Sequence, residues 1–578
     1  MSVREPAFLA LVAHPRVFLS PDSPLGFGLS DWIQLAAAAL LVALLLATSS
    51  LRAPVLRFAQ RTGWCMLLLF ALPIALRLAL LVHSPAPVPS GADDFSYILL
   101  ADTLRHFRLA NPPHVLPQFF EQIFVLQQPT YSSMYPLGQG LFLAVGWMLF
   151  GQPWAGVLLS AGALCALCYW MLRAWTTPGW ALIGGLLAVM EFGPLCYWMN
   201  CYWGGAVSAI AGCLVFGALP RLVEQRRNFH GALLGLGLAL QLLTRPFEFF
   251  LLLASTLLFL IPALLRNRGA LRPFALSAAI LCAAGGIVLV QNKAVTHSWT
   301  MLPYMLYRYE YGIPATFTFQ PNPIPHRPLN SEQELDYKAE TAIHGDTGDT
   351  IASYFGRLFF RIRFYRFFFL APLYLAAAAF LVSLRQWRFA WMALTLLLFA
   401  LGTNFFPYFY PHYIAAVTCL FILASVVGLE RLNRIHLLHL EAGTIILCVC
   451  AAQFLFWYGV HADGNEDALA ALSRYETWDF LNYGDPQGRI QINDQLARLP
   501  GKQLVIVRYG PRHMFQEWVH NASDIDQART VWAHDLGAED ENLLRYYPDR
   551  SAWLLEPDTT PPNLVPYARD AAPFQQVR

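Results

Sequence analysis

The sequence predicts an all-α polytopic membrane protein with about 12 to 13 transmembrane helices, followed by a small C-terminal α/β domain outside the membrane. Three observations carry this. Of the 578 residues, 56% are hydrophobic and 13% charged, against roughly 25% charged in an ordinary soluble protein. The apolar residues fall into runs about 15 to 20 long, the length of bilayer-spanning helices. Three stretches, about 84–136, 292–362 and 461–578, are too polar for lipid. A soluble multidomain enzyme is thereby excluded. With 39 basic and 37 acidic residues the net charge is +2, so no broad positive field points to a nucleic-acid partner.

Residues 1–63 form an N-terminal segment with Arg4, Arg16 and scattered prolines. No compact apolar stretch there precedes a small-residue cleavage site, so no removable signal peptide is expected. The segment carries a first helix, Ile33–Ser49. The core, 64–460, is expected to hold Trp64–Val82, Leu137–Phe150, Trp154–Leu172, Trp180–Trp198, Gly204–Leu219, Gly231–Leu243 and Phe247–Leu265. After these come Ala275–Val290, Phe364–Leu384, Phe389–Phe405, Pro411–Gly428 and Glu441–Val460. All ten cysteines lie within or beside apolar runs, and the Cys165/Cys168 spacing has no second pair, so it reads as helix packing rather than as a metal or disulfide motif.

Orientation follows from arginine. Arg52, Arg57 and Arg61 share one short loop, Arg221, Arg226 and Arg227 another, and Arg266, Arg268 and Arg272 a third, with Arg385, Arg388, Arg431 and Arg434 completing the set. If these loops are cytoplasmic, the three polar stretches share the opposite face. That assignment leaves Leu137–Phe150 unable to be an ordinary span, and it is expected to be a short re-entrant or hairpin piece, which needs protein or water around its backbone.

The first outer loop places Asp93 and Asp94 within roughly ten residues of a membrane exit, on a segment where Phe95, Ile98, Leu99 and Phe107 recur at helical spacing. An amphipathic helix lying on the outer surface, with Ser90 as N-cap, fits this pattern. Acidic residues also stabilise a helix N-terminus without any chemical role. Consecutive helical positions point about 100° apart, so the two carboxylates have different tasks. One is a candidate general base towards an acceptor hydroxyl; the other is a candidate metal ligand or orienting group. Tyr97 shares the face of Asp93 and is a candidate for positioning substrate.

The run Asp93-Asp94-Phe95-Ser96-Tyr97 resembles the acidic pair in the first outer loop of the GT-C glycosyltransferases, in particular the branch of protein mannosyltransferases and lipid A aminoarabinose transferases. Tyr135-Pro136-Leu137-Gly138 is similar to the His-Pro-Pro-Leu segment of that group, without its His and one Pro. Leu243-Thr244-Arg245-Pro246 resembles its outer Thr-basic helix end, and His412-Tyr413 its late Arg-Tyr, with His in place of Arg. The resemblance spans about residues 64–460 and implies a polyprenyl-phosphate-linked sugar as donor and a lipid, glycan or protein acceptor. It leaves the metal question open, because that branch works without one while other GT-C enzymes need a divalent cation (Mg or Mn), for which Asp94 is the candidate ligand.

Charges in apolar surroundings add candidates. Arg245 stands between two apolar runs with Glu248 three residues on; its guanidinium suits a donor phosphate, or an ion pair with Glu248. Arg77 is a second candidate for the phosphate, and Glu191 needs a partner or a wet cavity. Tyr135, Tyr202, Glu248, Arg308 and His412 complete the candidate substrate-binding residues. Tyr202 belongs to the aromatic turn 200–205, and Arg308 to a Tyr-rich run, 304–311, expected to cap the site. Gly345-Asp346-Thr347-Gly348-Asp349 lacks the further ligands of a calcium loop and reads as a turn.

The tail, 461–578, alternates short strand-like runs (503–508, 530–534, 551–555) with helical stretches and has no phosphate-binding glycine loop. Asn521-Ala522-Ser523 fits a glycosylation sequon. A transporter built of two related halves and a carbohydrate polymerase or ligase of another membrane class are the alternatives; no internal repeat is present, and in the second alternative the arginines matter but Asp93 does not. The expectation is an inverting membrane glycosyltransferase of the cell envelope, probing outward from the bacterial inner membrane, with Asp93 as base.

Overall fold

A computed structural model describes residues 29–48, 52–266, 271–345, 348–437, 440–464 and 488–567. Arg4, Arg16, Arg268, Asp346 and Thr347, named above, lie outside the described residues, as do 465–487 and 568–578 of the tail.

Among the described residues six helical segments are long and apolar enough to cross a membrane: Thr62–Val82, Trp154–Leu172, Ala206–Gln225, Pro273–Thr296, Pro411–Leu432 and Ala442–Asp463. Shorter apolar helices cover Asp31–Ala47, Leu137–Phe150, Pro178–Phe192, Asn228–Thr244, Pro246–Ile261 and Trp387–Thr403. The chain is thus a multi-pass membrane protein, mostly helical, with its larger sheet near the C-terminus. Leucines such as Leu40, Leu46, Leu67, Leu149 and Leu258 stand exposed on these helices, as a surface solvated by hydrocarbon requires.

Inside the bundle the helices approach through small residues. A Cβ on Gly212 would lie 1.7 Å from the carbonyl oxygen of Ala416, and one on Gly146 would lie 2.0 Å from the backbone nitrogen of Gly156. The second contact closes a helical hairpin between Leu137–Phe150 and Trp154–Leu172, turned at Gly151 with φ 70°. Close backbone approach is the usual source of packing energy where lipid and protein are equally apolar. Both ends of Leu137–Phe150 lie on one side of the bundle. The Tyr135 carbonyl before it accepts from Gln291 Nε2 at 3.1 Å, and Trp154 after it donates to the Met199 carbonyl at 3.0 Å while stacking under Arg77. A 14-residue helix is about 21 Å long, short of the roughly 30 Å hydrocarbon core.

The expected straight span Phe364–Leu384 does not form. Ile351–Phe368 and Leu373–Arg385 meet at 114°. Pro372 lacks an amide hydrogen and restricts the residue before it, which breaks the helix there. Arg361, buried just upstream, donates to the carbonyls of Thr403 (2.9 Å) and Phe406 (2.5 Å), holding the first arm against the end of the bundle. Likewise the helix expected to reach Trp198 stops at Phe192, before Gly193-Pro194.

The polar stretches pack together at one end. Strands β1 (Lys502–Val507), β2 (Thr530–His534), β3 (Arg550–Glu556) and β4 (Asn563–Pro566) form a sheet in the order β2-β1-β3-β4, parallel except for β4. Strand β4 is an addition to the three runs read from sequence. Alternation along the strands serves both faces. Val505, Val507, Trp532 and Leu555 pack with Ile492 and Leu496 of the helix Arg489–Arg498. Leu504, Ile506, Val531 and Ala533 pack with Phe119, Phe120, Val125 and Tyr131 of the first outer loop. The tail therefore shares a hydrophobic core with 84–136. The sequon is spent on structure: Asn521 Nδ2 donates to the Trp532 carbonyl at 2.8 Å, its Oδ1 accepts from the Trp532 amide at 2.9 Å, and the Ser523 amide donates to Asp102 at 2.6 Å. Asp349 of the glycine-rich turn binds Arg357 and Thr318, so it is a loop staple.

Candidate active site

The acidic pair opens the helix Ala92–Arg105. This helix does not lie on the surface as expected. Nine of its residues are buried, including Asp94, Phe95, Tyr97 and Leu99, because one side meets the Leu137–Phe150 hairpin and the other the C-terminal sheet. Phe107, grouped with them by spacing, lies beyond the helix end and is exposed. The N-cap is Gly91 rather than Ser90, whose backbone amide instead donates to Asp94 Oδ2 at 3.3 Å.

The two carboxylates diverge. Asp94 Oδ1 accepts from the Tyr202 amide at 2.9 Å, and the Tyr202 hydroxyl donates to the Pro87 carbonyl at 2.9 Å. Asp94 and Tyr202 thus lock the turn 200–205 to the exit of the second helix. Burial pushes the Asp94 carboxyl up to about 6, against the opposing pull of those amides. Asp93 has one protein partner, the Tyr135 hydroxyl, which donates to Oδ1. The Tyr135 ring lies on the Tyr97 ring, with centroids 4.2 Å apart and planes 8° from parallel. Among the described residues none donates to Asp93 Oδ2. Burial raises its pKa, while the Tyr135 hydroxyl and the Arg245 guanidinium pull it back down.

Arg245 caps the helix Asn228–Thr244 with non-helical φ −144° and ψ 87°, as the following Pro246 demands. Its guanidinium sits 5.2 Å from the Tyr413 ring centroid and meets Glu248 through one contact, Nη1 to Oε1 at 3.5 Å. Among the described residues Nε and Nη2 have no acceptor. His412 is buried beside it, its Nδ1 3.2 Å from the Tyr197 hydroxyl and its ring between Trp203 and Tyr410.

Two other candidate arginines bind mainly to acceptors of the protein itself. Arg77, fully buried, sends Nε to Asn200 Oδ1 at 2.6 Å, Nη1 to the Ser84 carbonyl at 3.0 Å and Nη2 to the Pro85 carbonyl at 2.8 Å. It ties the second helix to the loops around the site. Replacing it by Met strands three buried acceptors, so Arg77→Met is expected to cost on the order of 3 kcal/mol of stability. A thermal melt in detergent checks this; an unchanged midpoint would remove its structural role. Arg308 similarly donates to Pro314 (2.9 Å), Ala315 (3.3 Å) and the Tyr304 hydroxyl (2.8 Å), shaping the cap rather than reaching outward. Glu191 is buried within its helix, with neither carboxylate oxygen hydrogen-bonded.

The cap contributes two acids that sequence reading passed over. Asp336 and Glu340, one turn apart on Ser331–His344, both feel the charge of Asp93. Glu340 accepts from the Ala315 amide at 2.9 Å, whereas Asp336 Oδ2 is buried without a partner, and its carboxyl is pushed up to about 8 by burial and by Glu340. Tyr408 and Tyr410 complete the wall. An i, i+4 acid pair on a helix opened by an Asn-x-x-Gln capping box was the available signal.

A divalent cation does not fit this donor set. Asp94 spends both oxygens on backbone amides, Asp93 faces a guanidinium, and among the described residues no three His, Cys, Asp or Glu side chains converge as ligands.

If Asp93 acts as a base, Tyr135→Phe removes a group that lowers its pKa. The acid limb of the kcat/KM profile is then expected to move to higher pH, because activity requires the deprotonated carboxylate; a limb that stays in place would uncouple Tyr135 from the titrating group.

No protein-family model matches the chain, and no curated protein matches it by sequence. Among solved structures, it is similar to ArnT from Cupriavidus metallidurans in the apo state, at 13% identity and a TM-score of 0.45 over 86% of this chain and 93% of that one. The same protein bound to undecaprenyl phosphate gives 13% and 0.44 over the same shares. The Archaeoglobus fulgidus oligosaccharyltransferase in the apo form gives 11% and 0.35, over 77% of this chain and 62% of that one.

Proposed function

We propose that this membrane protein is an inverting glycosyltransferase that moves a sugar from a polyprenyl-phosphate donor to a lipid, glycan or protein acceptor on the extracytoplasmic face, in a bacterial inner membrane. The observation that carries the reading is a contrast in how charged groups are used. Arg77 has all three guanidinium nitrogens and Asp94 both carboxylate oxygens engaged by protein partners, while among the described residues Asp93 keeps one oxygen and Arg245 two nitrogens unengaged in the same aromatic-walled region at the bundle's end.

In this reading an acceptor hydroxyl attacks the anomeric carbon, its proton passes to Asp93 Oδ2, and the bond from that carbon to the phosphate oxygen breaks. The released polyprenyl phosphate keeps the bonding electrons, and its growing negative charge faces Arg245. Charge-assisted contacts from a planar guanidinium suit a phosphate and strengthen as the leaving group departs. Glu248 orients the guanidinium, and Tyr97, Tyr135 and His412 supply rings and polar edges for the sugar.

The test is transfer from a panel of radiolabelled polyprenyl-phosphate sugars by purified protein in liposomes, with acceptor lipid extracts, with and without EDTA, and with the anomer of the product assigned by NMR. Inverted product formed equally in EDTA is expected. Retained configuration, or no transfer from any donor, would overturn the proposal.

A further inference from the structure

At the end of the bundle opposite Asp93 lies a polar cavity of about 480 Å³ between three helix ends. Arg173, the C-cap of Trp154–Leu172, forms one wall with the link 174–177; Gln386 and Phe389, at the start of Trp387–Thr403, form a second; and Val427 to Arg434, at the end of Thr418–Leu432, form the third.

Its arginines are incompletely used. Among the described residues Arg173 donates only through Nη1, to Thr62 Oγ1 at 3.0 Å and the Tyr169 hydroxyl at 3.1 Å. Within the same set Arg431 donates only through Nε, to Ser383 Oγ at 2.5 Å. Arg434 projects an exposed side chain at the rim. Among the described residues none of the three makes an ion pair, although Glu430 also lines the cavity. Arg221, at the same end, is different: it donates to the carbonyls of Gly217 and Trp170 and lies 4.2 Å over the Trp170 ring. The positive-inside rule accounts for arginines at this end. It does not account for three of them, unpaired, around a concavity of ligand size.

We infer that this cavity binds the phosphate head group of an anionic phospholipid. Guanidinium forks match phosphate oxygens, and basic pockets between transmembrane helices on the cytoplasmic side take such head groups. The lipid source is favoured over a soluble phosphate by the setting. Trp175 and Phe389 give the polar cavity an aromatic side, and Leu381, Val382 and Trp387 stand exposed next to it, where acyl chains would continue from the head group. A bound head group would join three helices at the end remote from the chemistry.

The test compares wild type with Arg431→Gln/Arg434→Gln in nanodiscs of phosphatidylcholine, with phosphatidylglycerol titrated in and the thermal midpoint and retained lipid measured by mass spectrometry. Wild type is expected to gain a saturable, salt-sensitive rise in midpoint and to retain phosphatidylglycerol over phosphatidylcholine. The double variant should match wild type in pure phosphatidylcholine and need at least about tenfold more anionic lipid for the same rise, about 1.4 kcal/mol of binding. Arg434→Gln alone, at an exposed side chain, should show a smaller shift in the same direction and guards against a folding defect in the double variant. Equal responses in wild type and variants would overturn the inference. So would an equal rise produced by millimolar inorganic phosphate alone, which would give the cavity to a soluble anion.

Discussion

Asp93→Asn is expected to lower the transfer rate by about 10²–10⁴-fold, the usual worth of a positioned general base. The substitution keeps size and shape and retains an oxygen for the Tyr135 hydroxyl, so the stacked Tyr135/Tyr97 pair should persist. What it removes is the ability to take a proton. Donor affinity should therefore change little while kcat falls, and a thermal melt should coincide with that of wild type. Asp94→Asn makes the control: it disturbs the clasp on the Tyr202 amide and should lose stability before it loses chemistry. Wild-type rates in Asp93→Asn would sink the assignment, and the alternative of a polymerase or ligase driven by arginines alone would then gain ground.

Arg245→Ala is expected to cost about 10²–10³ in kcat/KM, the range seen when one preorganised donor to a developing negative charge is lost. Two effects combine. The leaving phosphate loses its cation, and Asp93 loses a neighbour that holds its pKa down, so the acid limb of the pH profile should also rise. Glu248 would be left buried without its counter-charge, so the measurement should include Arg245→Ala/Glu248→Gln, which separates a phosphate role from damage by an unpaired acid. Arg245→Lys should recover only part of the loss, because an ammonium offers a point charge where the guanidinium offers a planar fork. Unchanged donor affinity and rate in Arg245→Ala would place the phosphate elsewhere.

The parts of the molecule that were legible in sequence are those fixed by local chemistry. Leu137–Phe150 and Trp154–Leu172 have the bounds read from sequence because Pro136, Gly151 and Pro153 punctuate them. The strand 530–534 was equally plain. The break within Phe364–Leu384 was hidden because seven apolar or aromatic neighbours look alike whether they run straight or turn at a proline. The burial of the acidic helix was hidden for a different reason: its covering partner is the sheet, some four hundred residues later in the chain. At the site, an unusual charge was visible in Asp93, Arg245 and Arg77 alike, but which of them was already spent depended on carbonyls and amides that carry no sequence signal. Asp336 and Glu340 were missed because an acidic outer helix normally faces water.

The contacts between the first outer loop and the tail also set an order of events during synthesis. His534 reaches the Glu121 carbonyl at 2.6 Å, and Ser523 reaches Asp102, across separations of 413 and 421 residues. The helix bearing Asp93 thus emerges early from the ribosome but cannot acquire its final cover until the sheet-forming residues 502–566 have been made. Closure of such distant contacts is slow, and until it happens Phe119, Phe120 and Tyr131 have no sheet to pack against. A translation product that stops short of the sheet would hold Asp93 on an unsupported helix, so under the proposed function chemical competence depends on synthesis of the sheet-forming residues 502–566.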